Sequence, residues 1–212
     1  MLSRNALTRS GRGFRMRIPS WKLDRMVECE SILEGSLALL LEHSPGVVSY
    51  QEQPALIPYW DGEQMREYYP DFEAVLLDGT RIHLEAKHSH TLAKPKVATK
   101  YRAIATHYQK MPIQFRIVTE LECQQEPLRS NLRRLSYLRA KVTAEPLPSQ
   151  AELSRLLGHA PIPLAWSEAI LGIEATQRLL AVGLLHCDLT AEITPATLVS
   201  TAEGDCHATL LF

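Results

Sequence analysis

Apolar residues alternate with polar ones along two neighbouring stretches, and at helical spacing along three others. In residues 71–77, Phe72, Ala74 and Leu76 share one parity; in 81–87, Ile82, Leu84 and Ala86 do. Such alternation predicts two half-buried strands, and Asp78-Gly79 between them is a turn signal. Residues 30–43 place Leu33, Leu37, Leu40 and Leu41 on one helical face, stopped by Pro45-Gly46. Residues 94–109 predict a helix with Tyr101, Ile104, Ala105 and Tyr108 on one side, and 127–141 a basic helix. Residues 113–119 read as a buried strand, and 47–59 as extended chain broken by Pro54 and Pro58. Strand pair, helix and strand together predict an α/β domain with a mixed sheet flanked by helices.

Matching the apolar faces fixes the pairing parity of the two strands. The expected register sets Leu76 against Ile82, Ala74 against Leu84 and Phe72 against Ala86. It requires an odd-length connection, because a two-residue turn would put the apolar sets on opposite faces. The other face then carries Asp71, Glu73, His83, Glu85 and Lys87. In this register Asp71 lies across from Lys87 and diagonal to Glu85, roughly 7–8 Å away.

Two carboxylates at that spacing can share one hard cation. Oxygen-only ligation with retained waters suits Mg²⁺, or Mn²⁺. Lys87 can hold an attacking water or offset phosphate charge in a transition state. A solvated strand face with a cross-strand salt bridge is the competing reading. A third acid is expected from the preceding helix, where Glu30, Glu34 and Glu42 are the candidates. Glu34 borders the buried stripe, and the other two fall further out as helix-end charges. Glu34 is the choice.

Composition changes the picture through its distribution. The 212 residues carry 23 Lys+Arg against 24 Asp+Glu, a net charge of −1 that argues against a nucleic-acid partner. By segment the balance is 7 against 2 over residues 1–28, 1 against 10 over 29–79, and 8 against 1 over 80–116. It is then 5 against 3 over 117–144 and 2 against 8 over 145–212. A basic arm and a basic middle are cancelled by an acidic block and an acidic C-terminal region. Basic stretches beside clustered carboxylates point to a phosphate-bearing substrate near a metal.

Lys94, Lys96, Lys100 and Arg102 are the expected DNA-facing residues at the start of the 94–109 helix. Arg129, Arg133, Arg134 and Arg139 extend them, and Arg4, Arg9, Arg12, Arg15 and Arg17 form a flexible arm over residues 1–27. Four scattered cysteines (Cys29, Cys123, Cys187 and Cys206) without a C-x-x-C pair fit a reduced, cytoplasmic chain. No run of about 18 apolar residues predicts a membrane span.

The ordered set Glu30-Ser31-Ile32-Leu33-Glu34, Leu40-Leu41-Glu42, Pro45-Gly46-Val47, Tyr50-Gln51-Glu52-Gln53-Pro54, Tyr69-Pro70-Asp71-Phe72 and Leu84-Glu85-Ala86-Lys87 resembles the TnsA endonucleases of heteromeric transposons. These belong to the PD-(D/E)XK superfamily and include the CRISPR-associated transposons. The resemblance covers residues 28–120 well and the remainder weakly.

It implies a restriction-endonuclease-like fold over residues 28–145 and Mg²⁺-dependent cleavage of the 5′ ends of a transposon. It also implies double-stranded DNA, a TnsB-like transposase and a TnsC-like AAA+ ATPase as partners. By position it implies Glu34, Asp71, Glu85 and Lys87 as the catalytic set, with the three acids as metal ligands. Gln53 and His88 are possible site-lining residues, His88 with His90 otherwise being polar loop residues. Some members carry Gln where this chain has Glu85. Another PD-(D/E)XK nuclease and a non-catalytic DNA adaptor remain alternatives.

Glu145-Pro146-Leu147-Pro148-Ser149 is the expected linker. After it, residues 146–212 predict short helices and a small β wing, a winged-helix-like domain such as TnsA-like proteins carry. Its acidic balance points to protein docking rather than DNA reading. Val182, Leu184 and Leu185 are its expected core.

Overall fold

A computed structural model describes residues 15–142 and 146–201. The chain forms two compact units, divided between Gln124 and Gln125. That division falls ahead of the expected linker at Glu145–Ser149.

The first unit opens with a hairpin, β1 (Met16–Ser20) and β2 (Arg25–Cys29), with Ile18 paired to Val27 and both buried. This corrects the expected arm over residues 1–27. From Met16 onward it is an ordered ribbon, its arginines hiding an Ile18/Val27 core, and Arg17 pairs with Glu28 at 2.8 Å. Arg4, Arg9 and Arg12 lie outside the described residues.

Helix α1 (Ile32–His43) follows, with Ser31 accepting the Glu34 N–H as its N-cap. Its Leu33, Leu37, Leu40 and Leu41 are buried, as the spacing predicts. Lys22 closes its C-terminal end, its Nζ donating to Leu41 O in the last turn, Ser44 O at the cap and Val47 O beyond it at 2.9, 2.7 and 2.7 Å. Burial lowers the Lys22 pKa to about 8.

Glu42 was expected as a helix-end charge, but it is 7% exposed and accepts from the Ser20 and Tyr50 hydroxyls and the Trp21 and Lys22 backbone N–H groups. The hairpin folds back over the helix and buries it.

The sheet comprises β3 (Val47–Glu52), β6 (Phe72–Leu76), β7 (Arg81–Ala86) and β8 (Gln114–Val118), in the order β3-β6-β7-β8. Only the β7–β8 pair is parallel, so the sheet is mixed. A separate ribbon, β4 (Ile57–Trp60) with β5 (Met65–Tyr68), precedes β6. Helix α2 (Ser89–Leu92) and helix α3 (Pro95–Tyr108) connect β7 to β8, and α4 (Glu120–Cys123) follows.

The observed β6–β7 register pairs Phe72 with Leu84 and Ala74 with Ile82. It is offset by two residues from the expected one. The connection is odd-length as required, and the offset preserves the shared faces. Alternation fixes parity but not offset, and here Leu76 N–H closes the turn on Thr80 O at 2.9 Å.

Helix α1 covers the Phe72 and Ala74 face, its Glu42 bonding Tyr50, the partner of Ala74. Helix α3 covers the other face, packing Tyr101, Ile104 and Tyr108 with Ile57, Tyr59 and Tyr68 against Phe115 and Ile117. A mixed sheet flanked by helices in this way is the restriction-endonuclease-like arrangement. Ala105, expected on the packed side of α3, is exposed.

The second unit contains α5 (Leu128–Ala140), α6 (Gln150–Leu157), α7 (Leu164–Leu171) and α8 (Ile173–Val182). Short strands β9 (Ile162–Pro163), β10 (Leu185–His186) and β11 (Leu198–Thr201) form a sheet in the order β10-β11-β9. Helix α5 packs on α8, so the basic helix expected within the nuclease domain belongs by its contacts to this unit. Its Asn131 donates to Leu189 O and Ala191 O, both at 2.9 Å. Gly172, at φ 87°, permits the sharp break between α7 and α8. Leu185 is buried as expected, whereas Val182 and Leu184 are half-buried. Among the described residues, no helix is long and apolar enough to cross a membrane.

Candidate active site

The end of the β6–β7 pair gathers the chemistry. Asp71 stands immediately before β6, and its Oδ2 accepts the Ala86 N–H at 2.8 Å. The two-residue offset therefore sets Asp71 beside Glu85 and Ala86 rather than across from Lys87. Lys87, just past β7, is anchored by its N–H to Val118 O at 3.0 Å and reaches Glu85 Oε1 with its Nζ at 3.1 Å.

The face that carries these groups is not solvated. Glu73 is 5% exposed, His83 1% and Glu85 4%, because α3 and the β4–β5 ribbon lie over them. A solvated salt-bridge face is thereby excluded. Glu85 is held by three donors: the Tyr68 hydroxyl to Oε2 at 2.7 Å, the Tyr101 hydroxyl to Oε1, and Lys87.

His83 Nε2 donates to Glu73 Oε2 at 2.9 Å, and its Nδ1 accepts from the Tyr108 hydroxyl at 2.6 Å. Burial lowers the His83 pKa, which keeps the ring neutral and fits this tautomer. Arg81 completes the network on Glu73 at 2.7 Å.

Burial, followed by the charges of Glu85 and Glu34, pushes the Asp71 carboxyl well above the ordinary range. Burial also raises Glu34, against hydrogen bonds from Glu30 and Ser31, with Glu30 and Glu85 adding smaller repulsions. Three acids thus crowd one another with a single lysine beside them. Excess buried carboxylate of this kind fits a hard divalent cation, which supplies the missing positive charge.

Glu34 currently caps its own helix. Its Oε1 accepts from the Ser31 hydroxyl at 2.9 Å and its Oε2 from the Glu30 N–H at 2.7 Å. Gln53, at φ 43°, donates its N–H to Asp71 O at 2.9 Å and so borders the same corner.

Of the expected DNA-facing residues, Lys94, Lys96, Lys100 and Arg102 are all exposed on or beside α3. Lys100 Nζ lies 5.6 Å from the Tyr68 ring centre and 5.2 Å from that of Tyr101, directly above the two tyrosines that hold Glu85. Sequence reasoning missed Tyr68 altogether and placed Tyr101 only on the apolar side of its helix. The available signal was that Tyr101 sits on the buried stripe of α3, and a buried tyrosine hydroxyl needs a partner.

His88 and His90 lie past Lys87. His88 Nδ1 is 3.2 Å from Glu120 Oε2, and Ser89 donates to Glu120 through its N–H at 2.9 Å and its hydroxyl at 2.5 Å.

The fold is of the restriction-endonuclease-like class, and Asp71, Glu85 and Lys87 meet at one end of its β6–β7 pair. Residues 44–120, which span β3 through β8 and include Asp71, Glu85 and Lys87, match the family model described as TnsA-like endonuclease N terminal. That part of the chain is similar to a TnsA-like endonuclease domain, and α1 with Glu34 lies just ahead of the matched stretch. No match to a curated protein was found.

Proposed function

We propose that this chain is a metal-dependent DNA endonuclease that cuts the 5′ ends of a transposon. It would act with a TnsB-type transposase and a TnsC-type ATPase. The observation that carries the reading is the buried juxtaposition of Asp71, Glu85 and Lys87 beside Glu34, within the segment matched to a TnsA-like nuclease.

Asp71 and Glu85 would hold a hard cation, Mg²⁺ with Mn²⁺ as a substitute, and Glu34 would join them. When bound, the cation supplies Lewis-acid charge to the phosphodiester and its water. The protein's own part is positional and electrostatic. Tyr68 and Tyr101 fix the Glu85 carboxylate. Lys87 orients the attacking water by hydrogen bonding, or offsets the charge that grows on the phosphate oxygens. Lys94, Lys96, Lys100 and Arg102 would bind backbone phosphates along α3. Residues 146–212, acidic in sequence, would dock protein partners.

The test is a reconstituted reaction on end-labelled transposon DNA with both partner proteins and Mg²⁺. Wild type should cut the 5′ strands, whereas Asp71→Asn and Lys87→Ala should bind DNA without cutting. Wild-type rates for both variants would sink the proposal. Equal cutting of plain DNA by the chain alone would favour an independent nuclease instead.

A further inference from the structure

Strands β7 and β8 are parallel neighbours, with Ala86 paired to Val118. Their C-terminal ends therefore emerge side by side, and whatever follows each strand is brought together. Ligand groups collect at such strand ends in α/β sheets. After β7 the chain runs His88-Ser89-His90 into α2, and after β8 it runs Thr119-Glu120 into α4.

The result is a second cluster, distinct in composition from the all-oxygen corner. One ligand atom from each of His88, His90 and Glu120 lies within 4.8 Å of the others. The two imidazole rings are 5.4 Å apart and inclined by 31°. The Glu120 carboxylate is already oriented by both donors of Ser89. A capping box between Thr119 and Glu122 fixes the turn from which Glu120 projects. The side chains of His88 and Glu120 are 47% and 24% exposed, so the cluster is open to solution.

We propose that His88, His90 and Glu120 form a binding site for a divalent transition metal of the Zn²⁺ type. Two imidazoles and one carboxylate are ligands that zinc accepts and that Mg²⁺, which demands oxygen and water, does not prefer. Tetrahedral zinc–ligand bonds of about 2.0–2.1 Å put paired donors roughly 3.3–3.4 Å apart. Both imidazoles are exposed, and binding would draw the ligand atoms in from their present spacing of up to 4.8 Å. Three protein ligands leave a coordination position open for water or for an anionic oxygen. Ser89 serves as the partner that holds the carboxylate for the metal. The site stands on these three side chains and does not depend on the nuclease reading.

The experiment uses the full chain without an affinity tag. Zn²⁺ is titrated calorimetrically in excess Mg²⁺, and Co²⁺ is added in parallel to read the ligand set from its absorption. The expected result is one equivalent of Zn²⁺ per chain. His90→Ala and Glu120→Gln should each weaken binding by more than the about 10–100-fold that loss of an outer-shell partner costs, and the His88→Ala/His90→Ala pair should remove it. Asp71→Asn should bind Zn²⁺ as wild type does, which separates this site from the proposed Mg²⁺ corner. The Co²⁺ spectrum should lack a thiolate charge-transfer band, and circular dichroism should match wild type for every variant. Undiminished Zn²⁺ binding by His90→Ala and Glu120→Gln would overturn the proposal. So would the absence of Zn²⁺ binding by wild type, which would leave His88 and Glu120 as a polar contact alone.

Discussion

Lys87 Nζ stands 3.1 Å from Glu85 Oε1, two residues apart at the end of one strand, with the acid buried and the lysine one-third exposed. The acid is therefore fixed, while the cation can still reach a phosphate. Lys87→Ala should lower single-turnover 5′-strand cleavage by about 10²–10³-fold, the scale for losing one transition-state donor. Lys87→Arg should recover little, since a planar fork cannot replace a compact ammonium. A rate for Lys87→Ala within threefold of wild type would refute the role.

Asp71→Asn should abolish cleavage and yet raise the thermal midpoint of the metal-free protein. The sign follows from proton binding. The folded Asp71 carboxyl holds its proton to higher pH than the unfolded one. Folded protein therefore binds more protons in that window, and stability falls as pH rises through it. Asparagine removes this penalty while keeping an oxygen for the Ala86 N–H. A gain of a few degrees at neutral pH is expected, at roughly 2–4 °C per kcal/mol for a chain of this size. Acid should also stabilise the variant less than it stabilises wild type. Scanning fluorimetry across pH checks both, and an unchanged or lower midpoint would contradict the crowding argument.

The two glutamates of α1 should separate cleanly. Glu42→Ala removes the acceptor for two hydroxyls and two backbone donors. A buried donor left without its acceptor costs about 1–3 kcal/mol, so chemical denaturation should show a clear loss. Glu34→Gln should cost little stability and reduce cleavage. If Glu34→Gln cut DNA normally, the third acid would have to be sought elsewhere.

Tyr68→Phe and Tyr101→Phe each delete one hydroxyl donor to Glu85. Each should cost about 1 kcal/mol of stability and raise the Mg²⁺ concentration needed for half-maximal cleavage. The double variant should show a non-additive effect, because both hydroxyls act on one carboxylate. Unchanged Mg²⁺ dependence in both single variants would mean that the tyrosines only pack.

Much of this site is legible in the chain. Pro70-Asp71 and Glu85-Ala86-Lys87 at the ends of alternating strands specify the corner, and the leucine spacing of α1 specifies its neighbour. The two-residue register offset is not legible, because Phe72, Ala74, Ile82 and Leu84 satisfy parity in either alignment. The burial of Glu42 is hidden because its partners Ser20 and Lys22 lie in a stretch whose arginines imitate an unstructured arm. The burial of Glu73, His83 and Glu85 is hidden because the residues covering them, Tyr101 and Tyr108, come from a helix that looks amphipathic only in its own right. His88 and Glu120 lie 32 positions apart and meet only because β7 and β8 run parallel.

The β4–β5 ribbon lies outside the main sheet, yet it ends at Tyr68, whose hydroxyl rests on Glu85. Its far end exposes Trp60 and Met65 as a cross-strand pair. One two-stranded element therefore carries both an exposed aromatic end and a hydroxyl that fixes a buried carboxylate, so the ribbon belongs to the site although it stands outside the sheet.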